Sequence, residues 1–327
     1  MIEKIRHSLF QNNVLILLTV LFIFFSITAG NYFLSGQNLL NILRQIAIDI
    51  PPALALTLVL IAAGGVDLSV GSVLAMAASL TMGFQPQGVF LSVIVALMFG
   101  VFVGIVNGLL VTKGRVVPFI ATLGTMTLVH GIMLTYTHQQ PIAGHDEAFT
   151  FWGAGSIGPI PTPFIIALII LIVLYIVLKY TQFGRNAYAA GGNKESAYLA
   201  GIDVERTRFL AFVISGFLSA IAGVLLASRL NSSTIHIGAD TPLWSIAAAI
   251  MGGASMLGGK GNVWGTFIGV LSLGILLNGT NLLGVQTYLQ IGIKALILIG
   301  VVIVDAISII NVRKKLEAQA YGNRESN

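Results

Sequence analysis

The chain has 327 residues, 56% of them hydrophobic and only 9% charged, with a formal net charge of +5 and no cysteine. Soluble domains carry about 25% charged residues, so this charge poverty, with a mean hydropathy of +0.92, indicates a polytopic membrane protein. The missing cysteines exclude disulfides, thiolate metal sites and cysteine nucleophiles.

The N-terminal MIEKIRHSLFQNNVLILLTVLFIFFSITAG joins a basic start to an apolar run. It has the form of a signal peptide with a poor cleavage site at ITAG, but the many later apolar runs favour an uncleaved first helix. A span needs about 20 mostly apolar residues. Such runs lie at 14–30, 40–63, 68–84, 88–112, 116–136, 160–179, 207–230, 242–257, 263–283 and 286–310. They predict an all-α polytopic membrane protein of about ten transmembrane helices in one domain, 1–327. The eighth run is short and glycine-rich, which predicts a re-entrant or partly unwound segment.

All but Arg44, Arg229 and Lys294 of the 17 Lys and Arg residues fall on one side when the N-terminus is placed inside. The positive-inside rule then gives an N-in, C-in topology. It also accounts for the basic charge without nucleic acid. Arg44 and Asp49 are close enough in sequence to pair near the outer end of the second span, next to Pro51-Pro52, which should break or kink that helix. Lys294 is placed to snorkel outward, and Asp305 to sit solvated near the inner end of the last span.

One carboxylate, Asp67, stands in the apolar stretch VLIAAGGVDLSVGSVLAM. At a helix centre it would cost about 2.5–3.5 kcal/mol on insertion scales. The topology places it instead at the inner turn between the second and third spans. Gly64-Gly65 permits a tight reversal, and Ser69 can cap the next helix. A solvated turn residue is the bland reading; a role in the transport path or in partner contact is the alternative.

The outer loop 135–163 is rich in Gly and Pro and predicts little regular structure. The inner loop 179–208 is the largest charged segment. Asn193 is a good N-cap, Glu195 sits in the first turn, and Gly201 would make a C′ stop, which predicts a helix over 194–200 outside the bilayer. So short a helix is not stable alone in water and should dock, either on this chain's inner face or on a partner. GIVNGLLV (104–111) resembles GILLNGTNLLGV (274–285), with the two segments running in opposite directions. This predicts an inverted five-plus-five repeat.

No nucleotide site is found. ASMLGGKGN (254–262) fails the phosphate-loop pattern at Ala254 and Gly261 and reads as a flexible inner turn. The five histidines are scattered, so neither a metal set nor a catalytic constellation emerges. Few charges lie at membrane depth, whereas ion-coupled carriers usually place several carboxylates there. The chain has 37 glycines, and its spans carry small residues with hydroxyls and amides such as Thr122, Thr125, Ser215, Ser219, Asn107, Asn278 and Asn281. These serve helix packing or line a wet path for a neutral polar solute. Asp67, Asn107, Thr122 and Asn278 are the pathway or gating candidates.

The segments GGVDLSVGS (64–72), GIVNGLLVTKGRVVPFIATLGTM (104–126), TQFGRNAYAAGGNKESAYLAGI (181–202) and MGGASMLGGKGNVWGTFIGVLSLGILLNGTNLLGV (251–285) resemble the permease subunits of bacterial monosaccharide ABC importers, ribose-type permeases above all. The resemblance covers nearly the whole chain in order. It implies a multi-pass permease of the bacterial inner membrane that moves a ribose-like pentose or related sugar inward. It implies a second permease chain, identical or a paralogue, separate ATP-binding subunits that hold ATP and Mg, and an extracytoplasmic sugar-binding protein. No cofactor is then bound by this chain and no reaction catalysed by it. Gly184, Arg185, Gly192, Asn193, Glu195 and Gly201 carry over as the ATPase-coupling contact. Where ribose-type relatives typically carry Tyr-Glu-Leu after the seventh span, this chain has Pro242, Leu243 and Trp244, and the preceding STIHIGAD is also unusual, so the identity of the sugar stays open, a polyol or furanone-like ligand included. A stand-alone facilitator or secondary carrier for a small polar solute is the competing reading.

Overall fold

The computed structural model describes residues 2–286, 288–290, 292–293, 295–297, 299–300 and 303, with only the backbone of 2–13. Lys294 and Asp305, and parts of the expected tenth span, lie outside the described residues. The chain is mostly helical, and among the described residues six helices are long and apolar enough to cross a membrane. These are α3 (Gly36–Ala63), α5 (Val89–Thr112), α6 (Pro118–Tyr136), α8 (Thr162–Tyr180), α11 (Val204–Leu230) and α13 (Val263–Leu282). Preceding them are α1 (Ile2–Thr28) and the short α2 (Gly30–Leu34).

The helix α3 forms the axis. Of its most apolar 18 residues, 89% are buried, against 28% for α5 and for α6, which therefore stand at the rim. It runs unbroken through Pro51 and Pro52, where a break or kink was expected. Both prolines are buried, and inside a packed bundle neighbouring groups can re-satisfy the carbonyls that proline frees. The helix ends at Gly64, whose left-handed backbone (φ +58°) lets its N–H reach Leu60 O at 3.1 Å.

The extensively packed pair α5–α11 is built on small residues. Gly100, Gly104 and Gly108 recur every fourth residue along one stripe of α5, so the backbones approach closely. A Cβ on Gly104 would come 2.5 Å from Phe212 O and 2.8 Å from Val213 Cα. Against α11 also lies α4 (Val70–Phe84), whose 15 residues are too few for a full span.

The outer loop is largely irregular, as expected, but carries short ordered pieces. Strand β1 (Ile142–Ala143) pairs with β4 (Ser232–Ser233), β2 (Ser156–Ile157) pairs with β3 (Ile160–Pro161), and α7 (Thr150–Ala154) packs on α11. At the same end Arg44 donates to Asn41 Oδ1 (3.2 Å) and Ser156 Oγ (3.0 Å). Arg229 lies within Coulombic reach of Asp49 and Arg44, so these charges form a group of three.

The eighth apolar run is divided. Its helix, α12 (Thr241–Met251), has 11 residues, about 16 Å long and half the roughly 30 Å hydrocarbon thickness. The rest of the run, 252–257, is irregular, and so is the chain that leads into the helix, 234–240. Ser233 Oγ bonds Ser79 Oγ at 2.8 Å, and Gly238 O abuts Gly71, where a Cβ would clash with it. Residues 233–238 therefore run alongside α4 from Ser79 to Gly71, eight residues of helix or about 12 Å.

Candidate functional site

Asp67 is 1% exposed, which overturns the reading of it as a solvated turn residue. Its Oδ1 accepts from Ser69 N (3.0 Å) and Ser69 Oγ (2.6 Å), and its Oδ2 accepts from Ser215 Oγ on α11 (2.7 Å). The bond to Ser69 N is an Asx turn, which bends the chain locally without help from neighbours. Ser69 occupies the N-cap position of α4 but makes no side-chain cap bond. Its hydroxyl proton goes to the nearby carboxylate instead, the stronger acceptor.

From Ser69 the bonding continues outward. Asn107 Nδ2 on α5 donates to Ser69 Oγ at 2.8 Å, and Thr125 Oγ1 on α6 donates to Asn107 Oδ1 at 2.7 Å. Thr122 Oγ1, one turn earlier, accepts from Leu68 N at 3.1 Å and faces Val66 O at 3.2 Å. Three of the four pathway candidates, Asp67, Asn107 and Thr122, thus meet in one buried cluster. The fourth, Asn278, lies elsewhere: it exchanges amide bonds with Asn38 at 2.8 and 3.0 Å. Thr125 and Ser215 complete the cluster. Their residue types were visible in the spans, but nothing local in the sequence ties them to Asp67.

The cluster joins the α3–α4 turn to α5, α6 and α11. Asn107 is five residues from the end of α5 and Thr125 seven from the start of α6, about 8–10 Å inside the helix ends. The carboxylate's hydrogen-bond donors are two hydroxyls and an amide, all uncharged. Such a cluster holds helices in register.

The second feature lies where the largest inner loop was expected. It is more helical than the sequence suggests. Helix α9 (Gln182–Gly192) was not anticipated, because its three glycines mask a Thr181 cap that accepts from Gly184 N at 3.3 Å. Helix α10 (Lys194–Leu199) matches the expected one to within a residue. Asn193 Oδ1 accepts from Ser196 N at 2.8 Å. Gly201, at φ +79°, closes the helix: its N–H reaches Tyr198 O (2.9 Å), and Ile202 N reaches Ala197 O (3.0 Å). This is the paired-bond stop that a left-handed glycine permits.

Below α10, Ala197 packs with Ala190 and Val204, while Tyr198 (74%) and Leu199 (81%) project outward. Arg185, Gly192, Asn193, Glu195 and Gly201 are exposed, but Gly184 is buried against the Leu178 backbone at the corner between α8 and α9. A groove of 950 Å³ runs between α10 and the start of α11, lined in part by Glu195, Tyr198, Leu199 and Asp203.

The turn 252–262 is not a loose connector. Gly259 N donates to Ile61 O at 2.9 Å, and Tyr188 Oη of α9 donates to Gly261 O at 3.0 Å. Burial pushes the Tyr188 phenol above its ordinary pKa. The C-terminal end of α3, α9 and this turn thus form one joint. Among the described residues, no group of three or more His, Asp or Glu side chains could hold a metal ion.

Residues 38–302 match the family described as branched-chain amino acid transport system / permease component. The chain belongs to this permease family. The permease is similar to the ribose import permease protein of Bacillus subtilis, 42% identical over 84% of this chain and 86% of that protein. It is similar to the ribose import permease protein of Haemophilus influenzae, 41% identical over 92% and 95%. The D-allose transport system permease protein of Escherichia coli is 35% identical over 88% and 89%. No solved structure matches the permease.

Proposed function

We propose that this permease is the membrane-spanning subunit of an ATP-binding-cassette importer that moves a monosaccharide, a ribose-like pentose or related sugar, into the bacterial cell. It resides in the bacterial cytoplasmic membrane and catalyses no reaction itself. ATP and Mg belong to separate ATPase subunits, and an extracytoplasmic sugar-binding protein supplies the substrate. A second permease chain, the same or a paralogue, completes the pathway. The full chain, 1–327, is one permease domain of ten spans with both termini inside. An inverted five-plus-five arrangement is supported by the related positions of Asn107, near one end of α5, and Asn278, near the end of α13.

The observation that carries the coupling role is α10. Six residues cannot hold a helix alone in water, yet this helix is capped at both ends and turns Tyr198 and Leu199 outward. An ATPase surface is the partner that fits. Arg185, Gly192, Asn193, Glu195 and Gly201 lie on or beside the contact, and Gly184 acts by holding the corner that presents it. ATP binding moves α10; α9 and the 252–262 turn pass that movement to α3, and the Asp67 cluster carries it into α5, α6 and α11. Asp67, Asn107 and Thr122 are thus gating residues, and Asn278 steadies α13 against α3.

The test is purification of the tagged chain co-expressed with its genomic neighbours, with ATPase activity measured across a panel of sugars. Co-purification of an ATPase whose turnover rises with one sugar and its binding protein supports the reading. A chain that purifies alone and transports sugar without ATP is a facilitator, and the coupling assignment falls with that result.

A further inference from the structure

The non-helical chain before α12 presents ionisable side chains alongside α4. Ser233 sits at the level of Ser79 and Gly238 at that of Gly71. With α4 ending at Phe84, His236 falls about 14 Å and Asp240 about 20 Å below that end, at 1.5 Å per residue. Both are exposed, as is Ala239 between them.

Lipid is a poor neighbour for this face. Irregular backbone does not meet lipid within the hydrocarbon layer; it occurs only where protein or water covers it. Ionisable side chains at this depth nearly always face the bundle interior or a water-filled cavity. The contrast within the same chain is sharp: the exposed faces of α5 and α8 carry residues such as Phe90, Met98, Phe102, Ile169, Val173 and Ile176.

We infer that the face of residues 234–240 lines a water-filled solute path, with His236 and Asp240 as hydrogen-bonding contacts for a sugar in transit. This rests on the importer reading and adds where, within the membrane, the solute is met. A carboxylate accepts from sugar hydroxyls, and an imidazole both donates and accepts. Two such groups on a run of turns hold a solute weakly, as a path requires if the solute is also to leave.

The chain has no native cysteine, so single cysteines report directly. His236→Cys, Asp240→Cys and the lipid-facing control Phe102→Cys are expressed in the assembled transporter. Intact cells and inside-out vesicles are then treated with a charged, membrane-impermeant methanethiosulfonate. The thiolate is the reacting species and apolar burial raises the thiol pKa, so one pKa unit costs about tenfold in rate. Positions 236 and 240 should react at least about tenfold faster than position 102 from one face or the other. Ala239→Cys substitutes for either variant that fails to accumulate. Rates equal to the Phe102→Cys control would mean that lipid or a second copy of the chain covers this face dry, and the inference fails.

Uptake of D-ribose, D-allose and L-arabinose provides the second readout. Asp240→Asn and His236→Gln should raise KM or reorder the three sugars; an unchanged KM and rate for all three overturns the contact role. A wild-type transporter that takes up no sugar would defeat the importer reading, whereas the labelling rates report on the path regardless.

Discussion

Replacing Asp67 tests whether the buried cluster holds the α3–α4 turn to α5, α6 and α11. Asp67→Ala leaves three buried donors without their acceptor: Ser69 N–H, the Ser69 hydroxyl and the Ser215 hydroxyl. Each stranded donor costs about 1–3 kcal/mol. Ser215 has a partial escape, since its hydroxyl can turn to a carbonyl one helical turn earlier, as that of Ser219 already does. The Ser69 amide has none. The expected loss is therefore about 3–5 kcal/mol, among the larger effects of a single substitution. Asp67→Asn keeps the shape and one acceptor oxygen, and Ser215 can rotate to accept from the new amide, so its cost should be about 1 kcal/mol. Denaturant unfolding in detergent, followed through the three tryptophans, separates the two variants. An Asp67→Ala protein within about 0.5 kcal/mol of wild type, the usual range for uninvolved surface positions, would refute the bonding described. So would an Asp67→Asn protein as unstable as the alanine variant, because acceptor geometry would then not be what matters.

Other outcomes follow from the same geometry. Asn193→Pro should abolish sugar-stimulated ATP turnover while leaving the chain in the membrane: Asn193 has φ −154°, far from proline's −65°, and both its N–H bond to Ala189 O and its cap to Ser196 N would be lost. Glu195→Arg, on the exposed first turn of α10, should lower uptake per ATP hydrolysed without altering thermal stability; unchanged coupling in uptake and ATPase assays would count against the docking role. Gly104→Ile should prevent accumulation of folded chain, seen as loss of the monodisperse peak in size-exclusion chromatography, because its Cβ alone would meet Phe212 O at 2.5 Å. For the reciprocal Asn38–Asn278 amide pair, a double-mutant cycle with leucine should give a coupling of about 0.6–1.7 kcal/mol in an unfolding assay, between the average and the maximum for interhelical bonds in membranes.

How far the sequence alone was informative differs from element to element. The long helices were readable because the hydrocarbon layer demands apolar runs, and those runs stand out in the chain. α10 was readable because its signals are local: Asn193 before it, Gly201 after it, and charged sequence around it. α9 was hidden by Gly184, Gly191 and Gly192, which lower helix propensity; packing on Ile61 and the 252–262 turn supplies what propensity does not. The eighth span was recognisable as abnormal from its length and glycines. That the chain before it runs without helix along α4 was not, because Ser79 and Gly71 lie more than 150 residues away in sequence.

Asp67 separates the two kinds of information most clearly. By itself the sequence determined that a carboxylate sits in a glycine-flanked turn within an apolar stretch, and that this chain must live in a membrane. Only the tertiary structure decided that the turn is sealed. Ser215, 148 residues away, and Asn107, 38 residues from Ser69, close over it. Apolar content and capping residues act within a helical turn or over a span, so they are written in consecutive letters. The partners of a buried polar group depend on which helices pack side by side, and the close approach of α5 to α11 is what brings these donors to the carboxylate.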